Sequence, residues 1–348
     1  MQKGDRSAGP GIDRPATVSA LIAIATLAPV TLALMPALIA MLIDRQGITE
    51  ASAGRISSLY SLAGMVAGLL GIFWIRAVDR RKMLVSLALL GFCADLSAVW
   101  LHEYTIIAAG RFVTGFAASS VMIVVSAMIA ISHRSERLFG MVLTAQALVA
   151  AALFFVVPHL SQGVPVLFAV LAACWLAVAP LALLVPRGSN EGRPADAALR
   201  RARGLGLVRP SVVLLALAFL CFEVATGALW TYEYMIGEWH GITSTGVGSA
   251  MSLAMLTAIP GGLIVTLLGK RYGRTGPLIV GLGLNVAFTV PLLLPVGLGV
   301  FALAISATNL LYTFALALFL TLLGDEDPDG RLFSIANMTI FGGLALGP

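Results

Sequence analysis

Residues 47–82 read GITEASAGRISSLYSLAGMVAGLLGIFWIRAVDRRK, which is a polar loop followed by an apolar run and a basic cluster. The pattern of this stretch occurs a second time at a constant offset of 194 positions, so that Gly47-Ile48-Thr49 corresponds to Gly241-Ile242-Thr243. The same offset aligns Arg137-Leu138-Phe139 with Arg331-Leu332-Phe333. The chain therefore contains two copies of one unit in a common register.

The composition indicates a protein whose solvent is a lipid bilayer. Hydrophobic residues make up 59% of the chain and charged residues 11%, with a mean hydropathy of +0.97, whereas soluble domains carry about 25% charged residues. Apolar runs long enough to cross roughly 30 Å of hydrocarbon as helices recur along the sequence. The short alternating segments typical of a membrane β-barrel are absent.

We predict eleven spanning helices. The first is a retained helix rather than a signal peptide, because its apolar run exceeds the roughly 7–15 residues of a signal sequence. The predicted spans cover residues 17–43, 53–75, 83–101, 105–131, 138–158, 164–186, 211–235, 246–269, 277–298, 300–323 and 331–348.

The distribution of basic residues orients these spans. With a cytoplasmic N-terminus, all of the 22 lysines and arginines except Arg45, Arg55 and Arg111 lie in cytoplasmic segments, as the positive-inside rule requires. We expect a multi-pass protein of a bacterial-type inner membrane. The net charge of +5 then reflects membrane topology rather than nucleic-acid binding.

The repeat also predicts the domain organisation. Residues 1–16 form a cytoplasmic tail, 17–186 a six-helix bundle, 187–210 a basic cytoplasmic linker, and 211–348 a second bundle with five visible spans. The second-copy partner of the sixth span would lie beyond Pro348. We therefore expect the sequence to be cut inside its eleventh helix.

The run Gly110-Arg111-Phe112-Val113-Thr114-Gly115 places an arginine inside the fourth span. It resembles the fourth-helix motif of the major facilitator superfamily of secondary transporters, which carries an intramembrane arginine. The loop after the second span resembles the family pattern G-x-x-x-D-R-x-G-R-R, although Ile75 replaces its first glycine. The residues that match this loop pattern in the two copies are Asp79, Arg80, Arg81 and Lys82, then Arg271, Gly273 and Arg274.

The resemblance implies an all-α membrane fold of two parallel, pseudo-symmetric six-helix bundles with a substrate site between them. It implies that the Asp79 cluster and its second-copy remnant form a conformational gate. It also implies that the first, fourth, seventh and tenth spans line the central cavity, which favours Arg111, Glu223, Asn309 and Tyr312 as site residues. The fifth-span Gly-Pro motif of drug/proton antiporters is absent, so no subfamily is indicated.

Charged groups inside spans cost about 2.5–3.5 kcal/mol each at a helix centre, so each needs a partner or a purpose. Asp95 and Arg111 lie at matching depths on neighbouring antiparallel spans. Their pairing could be an ion pair that breaks during transport. It could equally be a permanent pair that lets both helices insert.

Glu223 lies near the middle of the seventh span, at the depth where such transporters bind substrate. We interpret it as a proton carrier or cation-binding group. The alternative is a protonated, hydrogen-bonded helix contact. Thr226, Gly227, Trp230 and Tyr234 follow Glu223 at helical spacing and are predicted to line a cavity with it.

The sequence predicts a secondary transporter and not an enzyme, since no nucleophile, base and metal constellation occurs. We expect a monomer that carries a small molecule, coupled to protons as an antiporter or symporter, with export favoured. No cofactor or metal is expected. A non-transporting receptor or scaffold on the same fold, or an inactive truncated fragment, is the alternative.

Overall fold

The computed structural model describes residues 12–74, 78–101, 103–129, 132, 134–159, 163–188, 210–268, 273–325 and 332–348. These residues form α-helices joined by short connections, and no strand occurs among them. Most of the predicted tail and linker, at 1–11 and 189–209, lies outside the described residues.

Thirteen helices account for the predicted spans. Those of the first copy are α1 (Pro15–Leu27), α2 (Val30–Ala33), α3 (Met35–Gln46), α4 (Glu50–Trp74), α5 (Arg80–Trp100), α6 (Tyr104–Ile129), α7 (Ser135–Val156) and α8 (Val164–Leu183). Those of the second copy are α9 (Pro210–Trp239), α10 (Ser244–Leu268), α11 (Thr275–Thr289), α12 (Leu298–Asp325) and α13 (Leu332–Leu346). Within the described residues, 10 helical stretches are long and apolar enough to cross a membrane. Helix α13, with 15 residues, is shorter.

Equivalent helices of the two copies pack in the same way. Helix α4 packs along α6 as α10 packs along α12, and α5 packs against α6 as α11 packs against α12. The structure therefore consists of two parallel, pseudo-symmetric bundles, which we call the first half (12–188) and the second half (210–348). The repeated loop glycines Gly47 and Gly241 both have positive φ, 65° and 77°, a conformation that favours glycine.

The helices alternate in direction, so the molecule has two faces. We call the face where α3, α5, α7 and α9 end the short-loop face, and the face where α4, α6, α8 and α10 end the linker face. This alternation of successive apolar helices confirms the predicted multi-pass topology.

The first span is not the single helix that the sequence predicted. It is divided into α1, α2 and α3, with Pro29 directly before α2 and Pro36 in the first turn of α3. Proline has no N–H to donate, so these positions interrupt the helical hydrogen bonding and leave carbonyl groups available. The carbonyl of Leu32 accepts a hydrogen bond from the Trp230 indole Nε1 at 3.3 Å. The break thus gives the first half a backbone contact with the second.

Helices α9 and α13 pack backbone against backbone through glycines. An added Cβ at Gly343 would overlap the Cβ of Glu223, and one at Gly227 would lie 2.9 Å from the Cα of Leu344. Gly347, four residues after Gly343, packs in the same way on the carbonyl of Val224. Small residues at this spacing let membrane helices approach closely. The crossing encloses Glu223.

Hydrogen bonds join the two halves near the short-loop face. The Tyr232 hydroxyl donates to the carbonyl of Glu50 at 3.2 Å, and the hydroxyls of Ser57 and Thr231 are 3.0 Å apart. Gly248 at the start of α10 packs against the end of α7. The helices of both halves are therefore in contact on this face.

The α9–α13 crossing predicts that Gly343→Ala lowers the thermal stability of the detergent-solubilised protein. The new methyl group would overlap the backbone of Glu223, and overpacking of this kind costs roughly 1–3 kcal/mol. Gly342→Ala is the matched control, because its Cβ would meet only the Met65 sulfur at 3.7 Å. Equal melting temperatures for the two variants would show that the crossing is not tightly packed.

Candidate functional site

A cavity of about 800 Å³ lies between the two halves. The first half contributes α1, α2 and α7, and the second contributes residues from α9 to α13. Most of the lining is apolar, with a small number of polar groups, which is typical of a small-molecule binding site. The polar side chains in the lining include Thr26, Gln146, Thr226, Glu233, Asn309 and Tyr312.

The structure divides the α9 stripe predicted from the sequence. Thr226 and Trp230 line the cavity, as predicted. Glu223 and Gly227 instead lie against α13, and the Tyr234 hydroxyl donates to the carbonyl of Ser244 at 2.9 Å. The cavity-lining face of α9 is therefore rotated relative to the predicted one.

The carboxyl group of Glu223 is fully buried beside the cavity rather than in its lining. Its Oε2 accepts a hydrogen bond from the Tyr312 hydroxyl at 3.5 Å, while Oε1 has no hydrogen-bond partner among the described residues. Tyr312 itself lines the cavity, and its ring stacks on Phe222 with centroids 5.8 Å apart. A tyrosine hydroxyl thus connects the cavity with the enclosed carboxyl group.

The second predicted tenth-span residue, Asn309, also lies in the wall. It lies three residues before Tyr312 on α12, and its backbone carbonyl accepts a hydrogen bond from the Thr313 hydroxyl at 3.1 Å. Two other polar side chains of the cavity wall form hydrogen bonds between helices. Asn285 donates to the backbone carbonyl of Thr308, and Gln146 donates to the backbone carbonyl of Ala25. Such bonds hold membrane helices together.

Arg111 and Asp95 form an ion pair that is fully buried within the first half. The Arg111 guanidinium also lies over the ring of Phe168 on α8, 5.0 Å from its centroid, in a cation–π contact. Neither residue lines the cavity. The structure therefore places the pair between α5, α6 and α8, away from the interface of the two halves.

The Asp79 cluster ties the α4–α5 connection to the end of α8. Asp79 caps α5 by accepting from the Lys82 backbone N–H at 3.0 Å, and its other oxygen accepts from the Gly188 N–H at 3.0 Å. These two backbone donors hold the pKa of Asp79 below its usual value. The Arg81 side chain donates through Nε to the carbonyl of Val185 at 2.9 Å. The Arg80 backbone N–H donates to the carbonyl of Gly188 at 3.2 Å. These contacts all lie within the first half.

The second-copy remnant makes a similar local contact. Arg274 Nη1 donates to the carbonyl of Thr321 on α12 at 3.2 Å, and Gly273 has a positive φ of 67°. Arg271 lies outside the described residues. A gating role for the two clusters stays a prediction.

The sequence did not single out Glu233, which the structure places in the cavity wall. Glu233 lies two residues before the predicted end of the seventh span at residue 235, whereas α9 continues to Trp239. The equivalent position in the first copy is Ile39, which carries no charge. Glu223 also has an uncharged equivalent, Pro29, so the same comparison of the two copies could have identified Glu233.

The described residues contain no group of three or more histidine, cysteine, aspartate or glutamate side chains that could hold a metal ion. The carboxyl, hydroxyl, amide and aromatic groups of the cavity wall can bind a small molecule.

Comparison with solved structures identifies similar folds at low sequence identity. A D-xylose-proton symporter has 15% identity and a TM-score of 0.71, over 95% of this chain and 88% of that one. The nucleoside transporter NupG has 11% identity and a TM-score of 0.75, over 95% and 88%. A bacterial homologue of the human lysosomal transporter Spinster, in an inward-facing and unoccupied conformation, has 15% identity and a TM-score of 0.74, over 97% and 82%.

No curated protein matches the sequence. The sequence does match the family model of the Major Facilitator Superfamily over residues 19–348. This match covers nearly the whole chain and agrees with the fold, the duplicated bundles and the cavity between them. The chain therefore belongs to the major facilitator superfamily of membrane transporters.

Proposed function

We propose that this secondary transporter exports a small organic molecule in exchange for protons. The observation that carries this proposal is the fully buried carboxyl group of Glu223, connected through Tyr312 to a cavity between the two halves. An ionisable group at membrane depth marks a transport pathway by default. The largely apolar lining of the cavity favours lipophilic substrates, and this supports export.

The mechanism is alternating access by rocking of the two halves. The contacts of Ser57 with Thr231 and of Glu50 with Tyr232 close the short-loop face, and both must break for the cavity to open there. The broken first span takes part in this closure, because Leu32 accepts from Trp230. Rocking of one bundle against the other around a fixed site is the general way in which such folds transport.

Glu223 is the proton-carrying group in this mechanism. When the carboxyl group is neutral, its enclosure against Gly343 and α13 carries no charge penalty. Release of the proton leaves a charge at the crossing, where the Tyr312 hydroxyl reaches only one of the two oxygens, so a rearrangement is needed to offset it. Proton release and movement of the halves are thereby coupled. The similar fold of a D-xylose-proton symporter supports proton coupling in such a scaffold.

The orientation follows from the basic residues. The linker face carries Arg80, Arg81, Lys82, Arg134 and Arg274, and the rule that cytoplasmic loops are basic places this face in the cytoplasm. Trp100 and Trp239, both strongly exposed, end helices at the short-loop face, where an interfacial aromatic belt is expected. The protein then lies in a bacterial inner membrane with its N-terminus inside.

The ion pair of Arg111 and Asp95 holds the first half together. It is enclosed by α8 through Phe168 and does not line the cavity. Of the alternatives left open by the sequence, this location favours the permanent pair over one that breaks during transport. We assign the conformational gate to the Asp79 cluster and its second-copy remnant, of which Asp79, Arg81 and Arg274 lie on the linker face.

Glu223→Gln is expected to abolish transport driven by a pH gradient, because glutamine cannot release a proton. Exchange of substrate across the membrane without net proton movement should continue, since glutamine resembles the neutral carboxyl group. Proteoliposomes containing pyranine, challenged with a panel of lipophilic cations, sugars and nucleosides, would report proton movement.

The control for this measurement is Glu238→Gln, on the same helix. Glu238 lies near the end of α9, where its carboxylate accepts from the Ser244 hydroxyl at 2.7 Å and does not line the cavity. Full proton-driven transport in Glu223→Gln would refute the assignment of the proton-carrying group.

Asp95→Ala and Arg111→Ala are each expected to destabilise the protein, by about 3–5 kcal/mol, because each leaves a buried charge without its partner. The double variant should be more stable than the sum of the two effects predicts. Thermal unfolding of the detergent-solubilised variants checks this expectation. Strictly additive losses of stability would argue against a structural pair.

A further inference from the structure

We propose that Glu233 is the substrate-recognition residue of the cavity and that it binds the positive charge of a lipophilic organic cation. This inference rests on the proposed transport function and names its substrate class. It starts from a contrast between the two buried carboxyl groups of α9. Glu223 is enclosed behind Tyr312, whereas Glu233 lines the cavity directly.

The carboxyl group of Glu233 lines the cavity and has no partner among the described residues. The residue is only 3% exposed, yet it makes no hydrogen bond or ion pair with any other described residue. Without a counter-charge the ionised form of this group is costly at membrane depth. A cationic ligand in the cavity would supply the counter-charge and stabilise the carboxylate.

The surroundings of Glu233 match an organic cation rather than a metal ion. Trp230 lines the cavity three residues earlier on α9, and the hydrogen bond to Leu32 fixes its indole ring. Phe154 meets this ring edge-on, with centroids 6.3 Å apart. Aromatic rings bind alkylated ammonium groups through their faces, and Trp230 and Glu233 both line this cavity.

The charge of the cavity lining also favours a cationic ligand. Its described lining contains no lysine, arginine or histidine, and Glu233 is its only carboxylate. A negatively charged substrate would find no counter-charge there. The remaining lining is mainly aliphatic and aromatic, which suits the apolar body of a lipophilic cation.

In this proposal Glu223 and Glu233 have separate roles. They are ten residues apart, or about 15 Å along the helix axis, so one group can bind the substrate while the other exchanges the proton. Tyr312 lines the same cavity and bonds to Glu223. Occupation of the cavity can therefore alter the contact of the proton-carrying residue.

Tetraphenylphosphonium tests this assignment, because its positive charge does not depend on pH. Isothermal titration calorimetry on the purified full chain in detergent should show binding that Glu233→Gln weakens by about ten- to a hundredfold, the range for loss of a charged contact. Glu233→Asp, which keeps the charge, should retain most of the affinity. Binding of the neutral compound triphenylphosphine oxide should change little in either variant.

Glu238→Gln, outside the cavity wall, is the control and should bind like the unchanged protein. Equal affinity of the unchanged protein and Glu233→Gln for tetraphenylphosphonium would overturn the inference, as would an absence of binding by the unchanged protein. Loss of affinity for the neutral compound in Glu233→Gln would also overturn it, since that result indicates damage to the whole cavity.

Equilibrium binding needs no proton gradient, so this result is independent of the proton-coupled mechanism. Glu233-dependent binding without proton-driven flux would sustain the inference and refute the proposed coupling. Proton-driven flux of another compound, with cation binding unaffected by substitution of Glu233, would refute the inference and sustain the proposed coupling.

Discussion

Burial of a carboxyl group at membrane depth is the constraint on which the second half of this structure depends. Glu223 is fully enclosed because α13 approaches α9 through glycines, and Gly343 leaves room for its Cβ. The close approach leaves one hydrogen-bond donor, Tyr312, at the carboxyl group and one oxygen without a partner among the described residues. A group held in this way is sensitive to its protonation state, because ionisation inside the membrane is costly.

Duplication explains the scaffold, and the departures from it explain the site. Equivalent helices pack alike in both halves, and Gly47 and Gly241 repeat the same left-handed turn. The charged groups inside the spans do not repeat: Asp95, Arg111, Glu223 and Glu233 correspond to Thr289, Ile305, Pro29 and Ile39. The first half uses its charges in an internal pair, whereas the second presents a carboxylate to the cavity. The functional asymmetry is therefore carried by a few side chains on a symmetric framework.

The sequence predicted the helices from hydropathy and the duplicated fold from the repeat register. It also predicted the pairing of Asp95 with Arg111, because that pairing depends on the depth of each residue along its own helix. The rotation of α9 could not be predicted in this way. It is determined by the packing of Gly227 and Gly343 between helices, which one helix alone does not reveal. Glu233 was missed because the helix continues past its predicted end, and the division of the first span reflects Pro29 and Pro36.

The central claim is that protonation of Glu223 controls a rocking motion of the two halves, and inter-spin distances in lipid nanodiscs measure that motion directly. One label pair at Arg45 and Trp239 reports on the short-loop face, and a second at Leu70 and Leu267 reports on the linker face; all four side chains are exposed. Between acidic and alkaline pH, the two distances should change in opposite directions, and Glu223→Gln should remove this response. Distances that stay constant with pH in the unchanged protein, or that respond equally in Glu223→Gln, would contradict the account.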